Sequence, residues 1–71
     1  MCIKVDNYLV KKCYDTDTNR EFFDVYVSTE NELFGEYVGE IPMDDAIANN
    51  LIDEDGNIDI DNMGYYIFTQ M

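Results

Sequence analysis

Over its first forty positions the chain carries apolar, β-favouring runs separated by turn-forming polar stretches, a pattern that predicts strands. The run from Ile3 to Tyr14 is rich in Val, Ile, Leu and Tyr and reads as one strand. "DTDTNR", Asp15 to Arg20, consists of residues that bond their own backbone in turns. "EFFDVYVS", Glu21 to Ser28, follows as a second strand. Phe23, Val25 and Val27 share one face, and Phe22, Asp24 and Tyr26 share the other. The short loop makes these two an antiparallel hairpin. A third strand is expected around Phe34 to Ile41. Leu33, Tyr37 and Ile41 fall on one parity with Gly35 and Gly39 between them, and Glu36 and Glu40 on the other.

The period then changes. Met43, Ala46, Ile47 and Leu51 fall at i, i+3, i+4 and i+8, which predicts a short helix from about Met43 to Ile52. Pro42 suits its first turn, where a missing N–H costs nothing, and Asp44 and Asp45 sit where the helix dipole favours anions. "DEDGN" turns the chain, "NIDID" alternates again, and "GYYIFT" has the apolar density of a buried closing strand. The expected fold is one α+β domain over residues 1–71: a small antiparallel sheet as a three-stranded meander, one short helix, then one or two further strands.

A chain of 71 residues buries only about 60% of its unfolded surface. Its 46% hydrophobic content, with six Tyr and four Phe, argues for folding over disorder. No apolar run approaches the ~18 residues of a membrane span. "MCIKVDNYLVKK" lacks the order of a signal peptide. The expectation is a cytoplasmic protein with no membrane partner. Cys2 and Cys13 are too few for a structural zinc site, with no histidine to complete one, and are expected as reduced thiols.

Charge sharpens the picture. The formal net charge is −12, from 16 acids against 4 bases. Every base, Lys4, Lys11, Lys12 and Arg20, lies in the first twenty residues. From Glu21 to Met71 there are 13 carboxylates and no Lys, Arg or His. Such a span repels nucleic acid and anionic membrane, so no direct nucleic-acid binding is expected; it attracts a basic protein surface. A surface built only for solubility normally mixes both signs, because one sign alone repels itself.

Enzyme chemistry is poorly supplied. There is no His for acid–base work near neutral pH, Ser28 has no base to activate it, and "FGEYVG" has the wrong spacing for a phosphate loop. The stretch "LIDEDGNIDIDN" resembles a calcium loop only in part. Placing Gly56 at position 6 puts Asp53 at 3, Asp55 at 5 and Asp59 at 9. It also puts Leu51 at 1, without a side-chain oxygen, and Asn62 at 12, where a bidentate Glu is needed. No enzyme activity, metal or cofactor is therefore expected.

Size, sign of charge and missing catalytic groups resemble, in composition, the small phage-encoded DNA-mimic inhibitors that occupy the nucleic-acid groove of host defence enzymes. Targets in that class include CRISPR effector nucleases, restriction enzymes and uracil-DNA glycosylase, and the resemblance carries no residue roles over. Of these, the expectation taken here is an anti-CRISPR protein acting on a CRISPR effector nuclease in the cytoplasm of a host cell. From the residues themselves, three acidic groups are the candidate contacts: Glu30, Glu32, Glu36 and Glu40 around the third strand; Asp44 and Asp45 at the helix start; and Asp53, Glu54, Asp55, Asp59 and Asp61 around the turn. Asp59 and Asp61, read as i and i+2 on a strand, would lie about 6.7 Å apart on one face. The alternative is a small acidic interaction module or structural protein without mimicry. A homodimer is a further expectation, with Tyr65 to Phe68 as its seam.

Overall fold

The fold is seen in a computed structural model that describes residues 2–31 and 33–71. Four antiparallel strands follow one another in a meander: β1 (Cys2–Val5), β2 (Tyr8–Asp15), β3 (Arg20–Ser28) and β4 (Phe34–Pro42), in the order β1-β2-β3-β4. Two helices complete the chain, α1 (Met43–Ala48) and α2 (Ile60–Gln70). The class is α+β, with the expected meander and short helix in place.

The first run is two strands, not one. Asp6 takes a positive φ of 52°, so "DN" makes a two-residue hairpin turn and Val5 pairs with Tyr8. Asp is one of the few residues that visits this region at low cost. Both Cys2 and Cys13 are free thiols.

The β2–β3 hairpin forms as expected, and Asp15 Oδ1 accepts the Asp17 N–H at 2.9 Å in its loop. On β3, Phe23 and Val25 are buried, whereas Val27 at the strand end is partly exposed. On β4 two bulges change the parity. Val25 pairs with Gly39, but Tyr26 pairs with Tyr37 and Ser28 with Phe34, so β4 gains a residue twice. Ile41 stays in the core, while Tyr37 is carried round to the face of Tyr26 and Val38 packs against the core in its place. Leu33 is exposed.

Helix α1 stops at Ala48, short of the expected Ile52. Asn50, at φ 59°, ends it: Leu51 N–H donates to Ala46 O at 2.8 Å and Asn50 N–H to Ile47 O at 3.2 Å. This is the left-handed stop in which Asn replaces the usual Gly, with buried Leu51 closing over buried Ala46. Met43 packs against the core, but Ile47 points outward.

The closing segment is a helix, not a strand, and "NIDID" forms only one bridge, Ile52 to Ile58. Asp59 accepts the Asn62 N–H and starts α2, which buries Met63, Gly64 and Ile67 at helical spacing. Aromatic and β-branched residues favour strands locally, but a cap and a sheet face to cover outweigh that preference. The core, Val5, Val10, Phe23, Val25, Ile41, Ala46, Leu51, Ile58, Met63 and Ile67, lies between one sheet face and the two helices. Among the described residues no helix packs on the other sheet face, where Leu9 is buried and Phe34 and Tyr37 are exposed. Among the described residues, no helix is long and apolar enough to cross a membrane.

A candidate acidic binding surface

Glu32 lies outside the described residues. Of its group, Glu30 sits in the β3–β4 loop, and Glu36 and Glu40 are exposed on β4, an edge strand. Four strand positions separate Glu36 from Glu40, about 13 Å, so this group is a string along an edge rather than a cluster. Pro42 ends the strand and α1 exposes Asp44 and Asp45 in its first turn.

At that end of the sheet the bases stand among the acids. Arg20 lines one shallow depression with Glu21 and Asp44, and the adjoining one with Asp15, Glu21 and Glu40. Lys12 Nζ lies 3.0 Å from Glu21 Oε2. Asp15 and Glu21 thus stand with Glu40 and Asp44 at this end of the sheet, although neither is among the three acidic groups expected from the sequence. The hairpin that brings them to Glu40 is the only signal that could have included them.

The third group is brought together. Ile52 and Ile58 close a small loop whose tip is Asp53 to Gly56. Asp53 N–H donates to Asn57 O at 2.8 Å, Gly56 N–H to Asp53 O at 3.1 Å, and Gly56 adopts φ 83°. Asp53 Oδ1 accepts the N–H groups of Asp55 and Asn57, both at 2.9 Å. Asp59 Oδ1 accepts the Asn62 N–H at 3.0 Å, and Asn62 Nδ2 donates to Asn50 O at 2.9 Å. Asp53 and Asp59 therefore have local structural work. The strand spacing expected for Asp59 and Asp61 does not occur, because one caps α2 and the other lies in its first turn. Glu54, Asp55 and Asp61 expose carboxylates that no base approaches among the described residues.

Charge is polarised across the sheet. Lys4, Lys11 and Lys12 lie on β1 and β2, whereas Glu36 and Glu40 lie on β4. Two strand spacings, about 10 Å, separate β2 from β4, close to the Debye length in ~0.1 M salt. Salt at that range weakens, without removing, the lysines' effect on the acidic edge, and Arg20 stands beside Glu40 at its end. Over the whole surface of 4936 Å², a net −12 averages about one charge per 410 Å², some four times sparser than duplex DNA. Local density is higher on the loop from Asp53 to Asp61, with five carboxylates in nine residues.

Rings accompany these acids. Tyr65 and Phe68 are 72% and 81% exposed and border a depression with Asp6, Asn7, Tyr8 and Gly64. Tyr8 and Tyr66 pack against the core. Carboxylates arranged this way accept charge-assisted hydrogen bonds from Arg and Lys, with exposed rings as anchors. Comparison with protein-family models, with curated proteins and with solved structures returned no match.

Proposed function

We propose that the protein is a binding protein rather than an enzyme, and that its acidic surface occupies the basic nucleic-acid channel of another protein as a nucleic-acid mimic. The target class that fits best is a CRISPR effector nuclease, whose duplex channel is lined with Lys and Arg. This makes the chain a phage-encoded anti-CRISPR inhibitor that works in the host cytoplasm. The observation that carries the reading is the loop from Asp53 to Asp61 at the start of α2. It presents Glu54, Asp55 and Asp61 exposed and unpaired, with Tyr65 and Phe68 bare on the same helix. A competition assay tests it. The protein displaces labelled duplex from a CRISPR effector at low salt; failure to displace it from any such nuclease contradicts the proposal.

A second reading has its own support. Edge strands invite pairing with other chains, and β4 carries several features that block it: two bulges, Glu36, Glu40 and Pro42. In that reading the acids of β4 protect the edge, Asp53 and Asp59 hold turns, and the chain is a small acidic interaction module. Salt separates the two, since a mimic's affinity falls steeply as ionic strength rises.

A further inference from the structure

We propose that the bare face of the sheet is a self-association surface, on which a second copy of this chain packs face to face about a two-fold axis parallel to the strands. The register sets out that face in rows. Cys2, Lys11, Asp24 and Glu40 form one row across β1 to β4, and Lys4, Leu9, Tyr26 and Tyr37 form the next. Tyr26 meets Phe34 edge-on at 5.0 Å between ring centres and Tyr37 at 5.4 Å. Phe34 and Tyr37 remain 50% and 52% exposed, whereas Leu9 is only 6% exposed.

Charge selects the occupant. Lys4 and Lys11 on the β1–β2 half oppose Asp24 and Glu40 on the β3–β4 half, so these two rows sum to zero in a chain of net charge −12. Two copies meeting through α2 would instead bring the rings together beside Asp6 and Asp61, with no base among the described residues that line the depression at Asp6. This replaces the seam expected from Tyr65 to Phe68.

A two-fold axis along the strands lays β1 over β4 of the second copy and β2 over β3. Lys11 then faces Asp24 of the second copy, and the same pair recurs by symmetry. The aromatic row supplies the apolar centre, and the sheets stack as an aligned sandwich about 10 Å apart. Four strands span about 19 Å, and eight residues along them about 26 Å. That buries close to 500 Å² per copy, or about 1,000 Å² in total, the lower bound for a specific interface. The dimer is accordingly weak, on the order of micromolar or weaker. None of this depends on the inhibitor reading.

Sedimentation equilibrium of the whole chain, from low to high micromolar concentration, tests the proposal. The wild type shifts from monomer to dimer. Lys11→Asp and Asp24→Lys each weaken dimerisation at least about tenfold, because each places like charges face to face. An equimolar mixture of the two variants dimerises again: the new lysine of one meets the new aspartate of the other, and the native Lys11 and Asp24 also meet. Phe34→Ser removes an exposed ring and weakens the dimer independently. Should Asp24→Lys fail to fold, Phe34→Ser and Lys11→Asp carry the test. A wild type that stays monomeric, a mixture no more associated than its components, or a dimer indifferent to Lys11→Asp and Phe34→Ser overturns the proposal. A monomeric wild type would leave that face to a different protein.

Discussion

Asp59 Oδ1 accepts a 3.0 Å hydrogen bond from the backbone N–H of Asn62, and that contact starts helix α2 where local propensity favours a strand. Replacing the cap in Asp59→Ala removes an acceptor for one of the unpaired N–H groups at the helix start. The expected cost is about 1 kcal/mol, with partial loss of helical circular dichroism. An unchanged melting curve would show that the cap does not hold α2.

Two neighbouring residues on α2 should respond in opposite ways. Ile67 is 1% exposed and faces the sheet, whereas Phe68 is 81% exposed. Ile67→Ala is expected to cost about 2–5 kcal/mol, enough to unfold much of a small domain, and Phe68→Ala within about 0.5 kcal/mol. Chemical denaturation of both variants checks the pair. Similar losses for both would argue against a helix with this face inward.

These residues also show how much of the molecule was legible in its sequence. The alternation over Glu21 to Ser28 and the stripe from Met43 to Ala46 were readable because burial there follows the local period. The turn at Asp6 was readable in principle, as "DN" between apolar runs, but the continuous β-favouring composition hid it. The β4 bulges were not legible, since an extra residue in one strand is defined only by its partner. The end of α2 misled for a different reason. Exposed Tyr65 lies between Met63 and Ile67 and exposed Phe68 follows directly, so the helical period disappears into a nearly continuous apolar run. For the acidic surface, the residues of the Asp53 loop were identifiable one by one. That Asp53 and Asp59 are occupied by backbone, and that Arg20 stands among Asp15, Glu21, Glu40 and Asp44, required the fold.

Two glycines, one in the Asp53 turn and one in β4, act for different reasons. Gly56 adopts φ 83° with nothing within 4 Å of a Cβ built there, so Gly56→Ala meets only backbone strain of about 1–2 kcal/mol. At Gly35 a Cβ would lie 2.7 Å from the Val27 carbonyl oxygen. Gly35→Ala therefore has to shift backbone at the β4 bulge, at about 1–3 kcal/mol. Amide exchange should distinguish them, loosening the Asp53 loop in the first case and the β3–β4 pairing in the second.

Asp24 joins two groups on the bare face, accepting from the Cys13 thiol at 3.5 Å and the Tyr37 hydroxyl at 3.4 Å. Partial desolvation and then the Asp24 hydrogen bond and charge raise the Cys13 thiol above its ordinary 9.0. Desolvation and then the Asp24 charge raise Tyr37 above 10.0. The folded chain thus holds both protons more tightly than the unfolded chain, so their contribution is present below the ordinary values and declines as pH climbs past them. Asp24→Asn should speed alkylation of Cys13 at a fixed mildly alkaline pH, because more of it becomes thiolate. An unchanged rate would mean Asp24 does not act on the thiol.

Glu54 and Asp55 expose carboxylates that are not occupied by the fold itself. Because Asp53 anchors its turn, the direct measurement reverses only Glu54 and Asp55 to Lys and follows displacement of duplex from a CRISPR effector nuclease as salt is raised. The wild type is expected to displace the duplex at low salt and progressively less at high salt, and the reversed protein, folded to the same melting temperature, to fail throughout. Equal displacement by both proteins, or displacement by the wild type that is insensitive to salt, would contradict nucleic-acid mimicry.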